Sequence, residues 1–255
     1  MPLIPMTIAV DIGNTQVKVG LFAQGRLQRS WQTPLDRLDR SLSEALASLT
    51  DPPRVGWVSV ARPDFALEKL SVWERWGGTA PIVQIDSRSA FPLENRYATP
   101  HTLGTDRIVG VVGARRRCPR QPVLVIDAGT ALTYDLATAE GVYLGGGIAP
   151  GLRLRFRALH EFTARLPEVA LNEEPPALVG DSTAGSIQAG VLHGMCAEID
   201  GMVQRYRAAF GPELQVFLTG GDLYRFENQL QCINFADSNL VLKGIHHLVS
   251  DPNFE

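Results

Sequence analysis

The chain is short of several things that would announce a function. Its 255 residues hold only three cysteines, Cys118, Cys196 and Cys232. They are far apart, with no C-x-x-C pair and no cysteine–histidine ligand spacing, which argues against a disulfide scaffold or a zinc site and fits a reducing cytosol. The histidines, His101, His160, His193, His246 and His247, form no ligand pattern either. No uninterrupted apolar run approaches the ~20 residues of a membrane span. The apolar first ten residues contain two prolines and no leading basic residue, so they read poorly as a secretion signal. Positive charge is also scarce. Lysine and arginine total 24 against 27 acidic residues, and the net charge of −3 offers no footprint for nucleic acid. The one basic cluster, Arg115-Arg116-Arg117 followed by Arg120, falls near the end of an expected helix, where cations suit the dipole.

What is present is a repeated turn. Ile8-Ala-Val-Asp11-Ile-Gly13-Asn14-Thr15 and Val123-Leu-Val-Ile-Asp127-Ala-Gly129-Thr130 each run from a buried-strand pattern into Asp-x-Gly and a hydroxyl. Each is followed by another strand-like stretch, 16–22 or 131–137. Such a turn offers backbone N–H groups to phosphate and a carboxylate to its Mg²⁺. One copy is most simply a capped hairpin, with glycine supplying positive φ. Two copies with matching flanks point to two related lobes facing one nucleotide, a pattern that resembles the actin, hexokinase and heat-shock-protein superfamily.

The order of elements supports that reading. Strands are expected over 7–13, 16–22 and 26–32. A helix-period segment then follows Pro34, with Leu35, Leu38, Leu42, Leu46 and Leu49 on one face. A strand over 55–61, a helix over 64–76 and a strand over 81–86 come next. A polar loop over 87–102 is long for a compact domain, itself a hint of function. A helix carrying Ile108, Val111 and Val112 closes the half. The second half repeats the scheme: strands over 123–129, 131–137 and 141–146, a helical region after Pro150, a long helix over 183–210, a strand over 215–219, a helix over 222–229, a strand over 232–235 and a closing helix over 240–249. The fold expectation is therefore α/β: two ribonuclease-H-like, actin-like ATPase lobes, each a three-strand meander followed by alternating helices and strands. They span 1–118 and 119–255, joined by the 118–122 linker.

Several motifs can carry chemistry. In Asp11-Ile-Gly-Asn-Thr15, Gly13 permits close backbone approach and Asn14 and Thr15 can donate to phosphate. Lys18, two strand positions beyond Gln16, can reach phosphate as a point charge, or be a solvated strand lysine. Gly145-Gly-Gly147-Ile-Ala-Pro-Gly151 is expected to end a strand and open a helix, and Thr219-Gly-Gly221-Asp222 to end another strand; either can approach a nucleotide or be an ordinary loop. Gly104-Thr-Asp106-Arg107 opens a helix after the long loop. Asp106 there is either a cap or a base for alcohol phosphorylation, and Arg107 can clamp a carboxylate in bidentate fashion.

In this order and at these separations, D-x-G-N-T, G-x-D-R, D-x-G-T, G-G-G-x-x-P-G and G-G-D closely resemble the type III pantothenate kinases, bacterial enzymes that begin coenzyme A synthesis. The resemblance runs from Asp11 to about Asp222. It implies ATP phosphate binding by Asp11, Ile12, Gly13, Asn14, Thr15, Gln16, Val17 and Lys18, with Thr130 also on ATP. It implies that Asp106 is the catalytic base. Tyr97, Gly104, Thr105, Asp106 and Arg107 would hold pantothenate, with Thr183 reaching it across a homodimer interface. Asp127 would bind the monovalent cation, K⁺ or NH₄⁺, and Mg²⁺ would accompany ATP. The resemblance also implies a cytoplasmic protein; the charge and the apolar pattern above lead to the expectation of no nucleic-acid and no membrane partner. One departure stands out: Gly180-Asp181-Ser182-Thr183 carries an acidic residue where the family commonly has a basic one.

A kinase for another small molecule on the same fold is one alternative, and two other classes share this scaffold. One is a non-catalytic regulator of gene expression; the retained Asp11, Asp106, Arg107 and Asp127 argue against it. The other is an actin-like filament protein, for which the chain is short and Asp106 would have no task.

Overall fold

A computed structural model describes residues 6–60, 65–77, 80–251 and 254. The described chain forms two compact units. The first runs through Arg117 and resumes at Asn239; the second is Cys118–Ser238.

The first unit is built on β1 (Thr7–Ile12), β2 (Val17–Ala23), β3 (Arg26–Thr33), β4 (Arg54–Ser59) and β5 (Ile82–Gln84), in the sheet order β3-β2-β1-β4-β5. β1 pairs antiparallel with β2 and parallel with β4. Ile8, Val10, Val17, Val19, Val55 and Trp57 fill its core with Leu38 and Leu42 of α1 (Leu38–Ala45). The long loop contains only β6 (Glu94–Asn95) and a 3₁₀ turn, Pro100–Thr102, before α2 (Thr105–Arg117).

The helix expected over 64–76 is instead two 3₁₀ turns, Leu67–Lys69 and Ser71–Trp76, separated by an extended Leu70. Its first residue, Asp64, and the last of the strand expected over 55–61, Ala61, lie outside the described residues. Competing bonds explain the break. The Asp39 carboxylate accepts from Ser71 N–H, Ser71 Oγ and Val72 N–H, while Trp73 Nε1 donates to the Leu67 carbonyl at 2.8 Å. These side-chain bonds satisfy backbone groups that a continuous helix would use.

The second unit repeats the plan with β7 (Val123–Ala128), β8 (Ala131–Ala137), β9 (Val142–Pro150), β10 (Gln215–Thr219) and β11 (Phe235–Ala236), ordered β11-β10-β7-β8-β9. β7 pairs antiparallel with β8 and parallel with β10, as β1 does with β2 and β4. α3 (Leu152–Glu161) and α4 (Thr183–Phe210) cover one face. Ile187, Val191, Met195 and Ile199 of α4 pack on Leu124, Ile126 and Leu132, so the 3.6-residue pattern read from the sequence is the buried stripe.

Three expectations change here. The strand expected over 141–146 is longer: β9 continues through the glycine run to Pro150, so segment 145–151 does end a strand and open α3, but four residues later than expected. A side chain at Gly146 would strike the Tyr134 carbonyl of β8, so this glycine serves strand contact. The helix expected over 222–229 is a single 3₁₀ turn, Leu223–Arg225. There the Arg225 side chain bonds the Asn172 and Glu173 carbonyls, and Phe226 is fully buried. Finally, the closing helix α5 (Leu240–Ser250), expected in the second lobe over 119–255, belongs to the first unit. A Cβ on Gly113 of α2 would sit 2.5 Å from the Leu240 carbonyl, and one on Gly244 would sit 2.8 Å from Val109 Cγ1. The paired glycines let α2 and α5 touch backbone to backbone, which fixes α5 there.

Candidate functional site

The first turn joins β1 to β2, with the Gly13 N–H donating to the Gln16 carbonyl at 3.1 Å. Asn14, Thr15 and Gln16 are exposed, and Gly13 is half-buried. Asp11 and Lys18 are direct cross-strand partners, so a carboxylate and an ammonium share one face beside the turn. Ile12 and Val17 differ from their neighbours: both are 1% exposed and packed in the core, leaving only backbone for a ligand.

In the same unit, α2 begins at Thr105, itself 8% exposed. The Asp106 carboxylate accepts the Arg107 N–H through Oδ1 at 2.9 Å. A Cβ on Gly104 would lie 2.7 Å from that oxygen, so glycine makes room for the folded-back carboxylate. The Arg107 guanidinium lies 5.7 Å over the Tyr97 ring, a cation–π contact that ties the long loop to the helix start. Tyr97 is set by its N–H, which donates to Asn95 Oδ1 at 2.9 Å. Tyr97, Gly104, Thr105, Asp106 and Arg107 are thus one local constellation.

The second turn lies in the other unit. Its Gly129 N–H donates to the Ala131 carbonyl at 3.0 Å, and Thr130 is exposed. Asp127 sits in a notch between two glycines: Cβ atoms on Gly129 and Gly220 would lie 3.1 Å and 2.5 Å from Asp127 Oδ1. Gly220 has φ +102, a backbone only glycine adopts readily. The Gly151 N–H donates to the Thr130 carbonyl at 3.2 Å, and the Asp222 N–H to the Ala128 carbonyl at 2.9 Å. All three motifs of this half therefore converge on one turn.

Asp222 was not singled out from the sequence as a site residue. It is 8% exposed, and burial raises its pKa above the ordinary carboxylate range, with Arg153 and Arg225 pulling the other way. The signal available was the late Gly-Gly-Asp. Thr183 is the exposed first residue of α4, whose N-cap, Ser182, accepts the Gly185 N–H at 3.1 Å. It lines a groove of about 1270 Å³ with Arg155, Phe162, Asp181 and Ile187. Phe162 is 84% exposed, and Leu178 and Val179 nearby in sequence are 76% and 82% exposed.

The type III pantothenate kinase family matches residues 7–205. The chain belongs to that family. Bacteroides fragilis strain YCH46 has a type III pantothenate kinase 39% identical over 252 residues, covering 97% of this chain and 99% of that protein. One from Phocaeicola vulgatus is 37% identical over 257 residues, covering 96% and 98%. Among solved structures, a protein described as a Baf family transcriptional activator from Campylobacter jejuni aligns with a TM-score of 0.57 at 19% identity, over 94% of this chain and 96% of that one. A ROK family glucokinase from Streptomyces griseus aligns at 0.52 and 15%, over 95% and 98%. At those identities the structures speak to the actin- and hexokinase-like fold alone. Among the described residues, no helix is long and apolar enough to cross a membrane.

Proposed function

We propose that this kinase transfers the γ-phosphate of ATP to the pantothenate hydroxyl, with Asp106 taking the proton. The observation that carries the assignment of the base is the fixed Asp106 carboxylate at the start of α2, beside an arginine held on Tyr97. Asp106 Oδ1 keeps the carboxylate oriented through the Arg107 N–H. Arg107 offers a planar donor fork to the pantothenate carboxylate, and Tyr97 and Gly104–Arg107 shape that pocket. The hydroxyl oxygen bonds to the γ-phosphorus, its proton passes to Asp106, and the phosphorus–oxygen bond to ADP breaks. Positioning and charge neutralisation dominate such a transfer, which suits a site built from turns and one carboxylate.

Asp11, Ile12, Gly13, Asn14, Thr15, Gln16, Val17 and Lys18 are proposed to bind the ATP phosphates. Ile12 and Val17 would act through backbone, and Lys18 as a charge. Thr130 contributes a hydroxyl. Among the described residues, no cluster of three or more His, Cys, Asp or Glu is arranged to hold a metal. Mg²⁺ is proposed to arrive on the nucleotide, as its reluctance to shed water favours. Asp127 is proposed to bind a monovalent cation, K⁺ or NH₄⁺; in support, glycines at 129 and 220 keep side chains from crowding its Oδ1. Such a cation would offset repulsion between carboxylate and triphosphate. The exposed apolar residues about the groove support a homodimer in which Thr183 reaches the partner's pantothenate. The three cysteines are buried and in no disulfide among the described residues, which suits a cytoplasmic protein.

Asp106→Asn tests this reading. The amide oxygen can still accept the Arg107 N–H, so pantothenate binding should persist while phosphoryl transfer falls on the order of 10²-fold or more. Near wild-type transfer would leave Asp106 as a helix cap.

A further inference from the structure

We propose that Arg155 and Glu198 form a positioning pair that holds the second phosphate turn in its binding shape. The inference rests on the reading of Thr130 as an ATP contact. Arg155 lies on α3 and Glu198 on α4, and Arg155 Nη2 donates to Glu198 Oε2 at 2.6 Å. The two side chains are 21% and 31% exposed, so the pair is screened less than a surface pair.

The guanidinium also works in a second direction. Arg155 Nε donates to the Pro150 carbonyl at 2.8 Å, and the Arg155 backbone N–H donates to the Gly151 carbonyl at 3.1 Å. One residue therefore grips the chain on both sides of the Pro150–Gly151 peptide bond. That link is the one that meets the turn. Pro150 pairs with Ala131 in the β8–β9 register, and Gly151 N–H bonds the Thr130 carbonyl. The fit is close: a Cβ on Gly151 would sit 2.5 Å from that carbonyl. A small shift of Pro150 would be passed directly to Thr130. Glu198 fixes the guanidinium from the neighbouring helix. The buried Tyr134 ring is within electrostatic reach of both charges.

A second pair on α3 supplies the control. Arg157 and Glu161 form an i,i+4 bridge at 2.9 Å, but are 65% and 46% exposed and bond to no turn residue through that bridge. If ion pairs on α3 served only the helix, both would matter alike.

The experiment is ATP affinity by titration calorimetry on the full chain with Mg²⁺ and K⁺, without pantothenate, joined to steady-state kinetics. Arg155→Met should weaken ATP about tenfold, the scale of one charge-assisted hydrogen bond, and raise the ATP KM alike while kcat at saturating ATP stays within about threefold. Glu198→Gln should act in the same direction and less. The double variant should be no weaker than Arg155→Met, because the two residues act as a unit. Arg157→Met should match wild type. Should Arg155→Met fail to fold, Arg155→Lys carries the test: it keeps the charge but cannot reach both partners, and should lose about threefold or more in ATP affinity. Wild-type affinity in the folded Arg155 variants, or additive losses in the double variant, overturns the proposal. Thr130→Ala separates the two levels. If it weakens ATP while the Arg155 variants do not, the positioning pair fails alone. If it leaves ATP affinity unchanged, the reading of the turn fails and takes the pair with it.

Discussion

Gly220→Ala is the sharpest structural perturbation of the second turn. At φ +102 the residue lies where an L side chain is strained, at a cost of roughly 1–3 kcal/mol. The new methyl would also meet the Ala128 carbonyl and lie 2.5 Å from Asp127 Oδ1. The carbonyl cannot swing away cheaply, because it accepts the Asp222 N–H at 2.9 Å at the end of β7. Overpacking of this kind adds about 1–3 kcal/mol, so the total is roughly 2–6 kcal/mol. At about 2–4 °C per kcal/mol for a chain of this size, that corresponds to a fall in Tm of roughly 4–24 °C. Gly221→Ala is the matched control: its Cβ meets nothing within 4 Å and its φ is not positive. Urea unfolding followed by circular dichroism, with thermal melts of both variants, measures the difference. Gly220→Ala should move the midpoint strongly and lower ATP turnover, since the Asp127 carboxylate must give way. Equal midpoints for the two variants would refute the notch geometry.

Replacing K⁺ and NH₄⁺ by a bulky organic cation should collapse turnover, and Asp127→Ala should abolish the cation response with the activity; full rates without K⁺ in a titration would remove that role from Asp127. Mixing Asp106→Asn chains with Thr183→Arg chains should recover up to about a quarter of the sites if subunits exchange, since each mixed dimer keeps one intact pocket; an active monomer in ultracentrifugation would defeat the shared pocket. His246 stacks on Phe22 at 4.2 Å and is lowered to about 4 from 6.5 by burial, with His247 acting in the same direction. The unfolded chain then binds the proton first, so stability should be constant above about 6.5 and fall as pH drops towards about 4. His246→Phe should flatten that slope in melting curves taken across the range, and an unchanged slope would show that His246 does not set it.

Much of this architecture is legible in the amino-acid sequence. The bounds of β8, α4 and β10 follow directly from apolar period and turn residues, because each buries a regular stripe. The two Asp-x-Gly turns were legible for the same reason, being bracketed by buried strands. Failures came where side chains compete with backbone. Asp39 and Trp73 broke a helix that the pattern alone would continue. Gly145–Gly147 could read as a nucleotide approach or an ordinary loop because a sequence does not say that Tyr134 of β8 lies against Gly146. The return of α5 to the first unit depends on Gly113 meeting Leu240 and Gly244 meeting Val109, a contact between segments over a hundred residues apart in the chain. Arg155 and Glu198 carried no signal at all; each looks like an ordinary helix charge until its partners are seen. Asp106 was ambiguous between cap and base, and its bond to the Arg107 N–H fits both uses.

That ambiguity sets the decisive measurement: phosphorus NMR of the full chain with ATP, Mg²⁺, K⁺ and pantothenate, run beside Asp106→Asn with pantothenate binding checked by calorimetry. A phosphomonoester signal should grow with wild type only when pantothenate is present, and be lost in Asp106→Asn although pantothenate still binds. ATP consumption that ignores pantothenate, or equal ester formation by the two proteins, would contradict it.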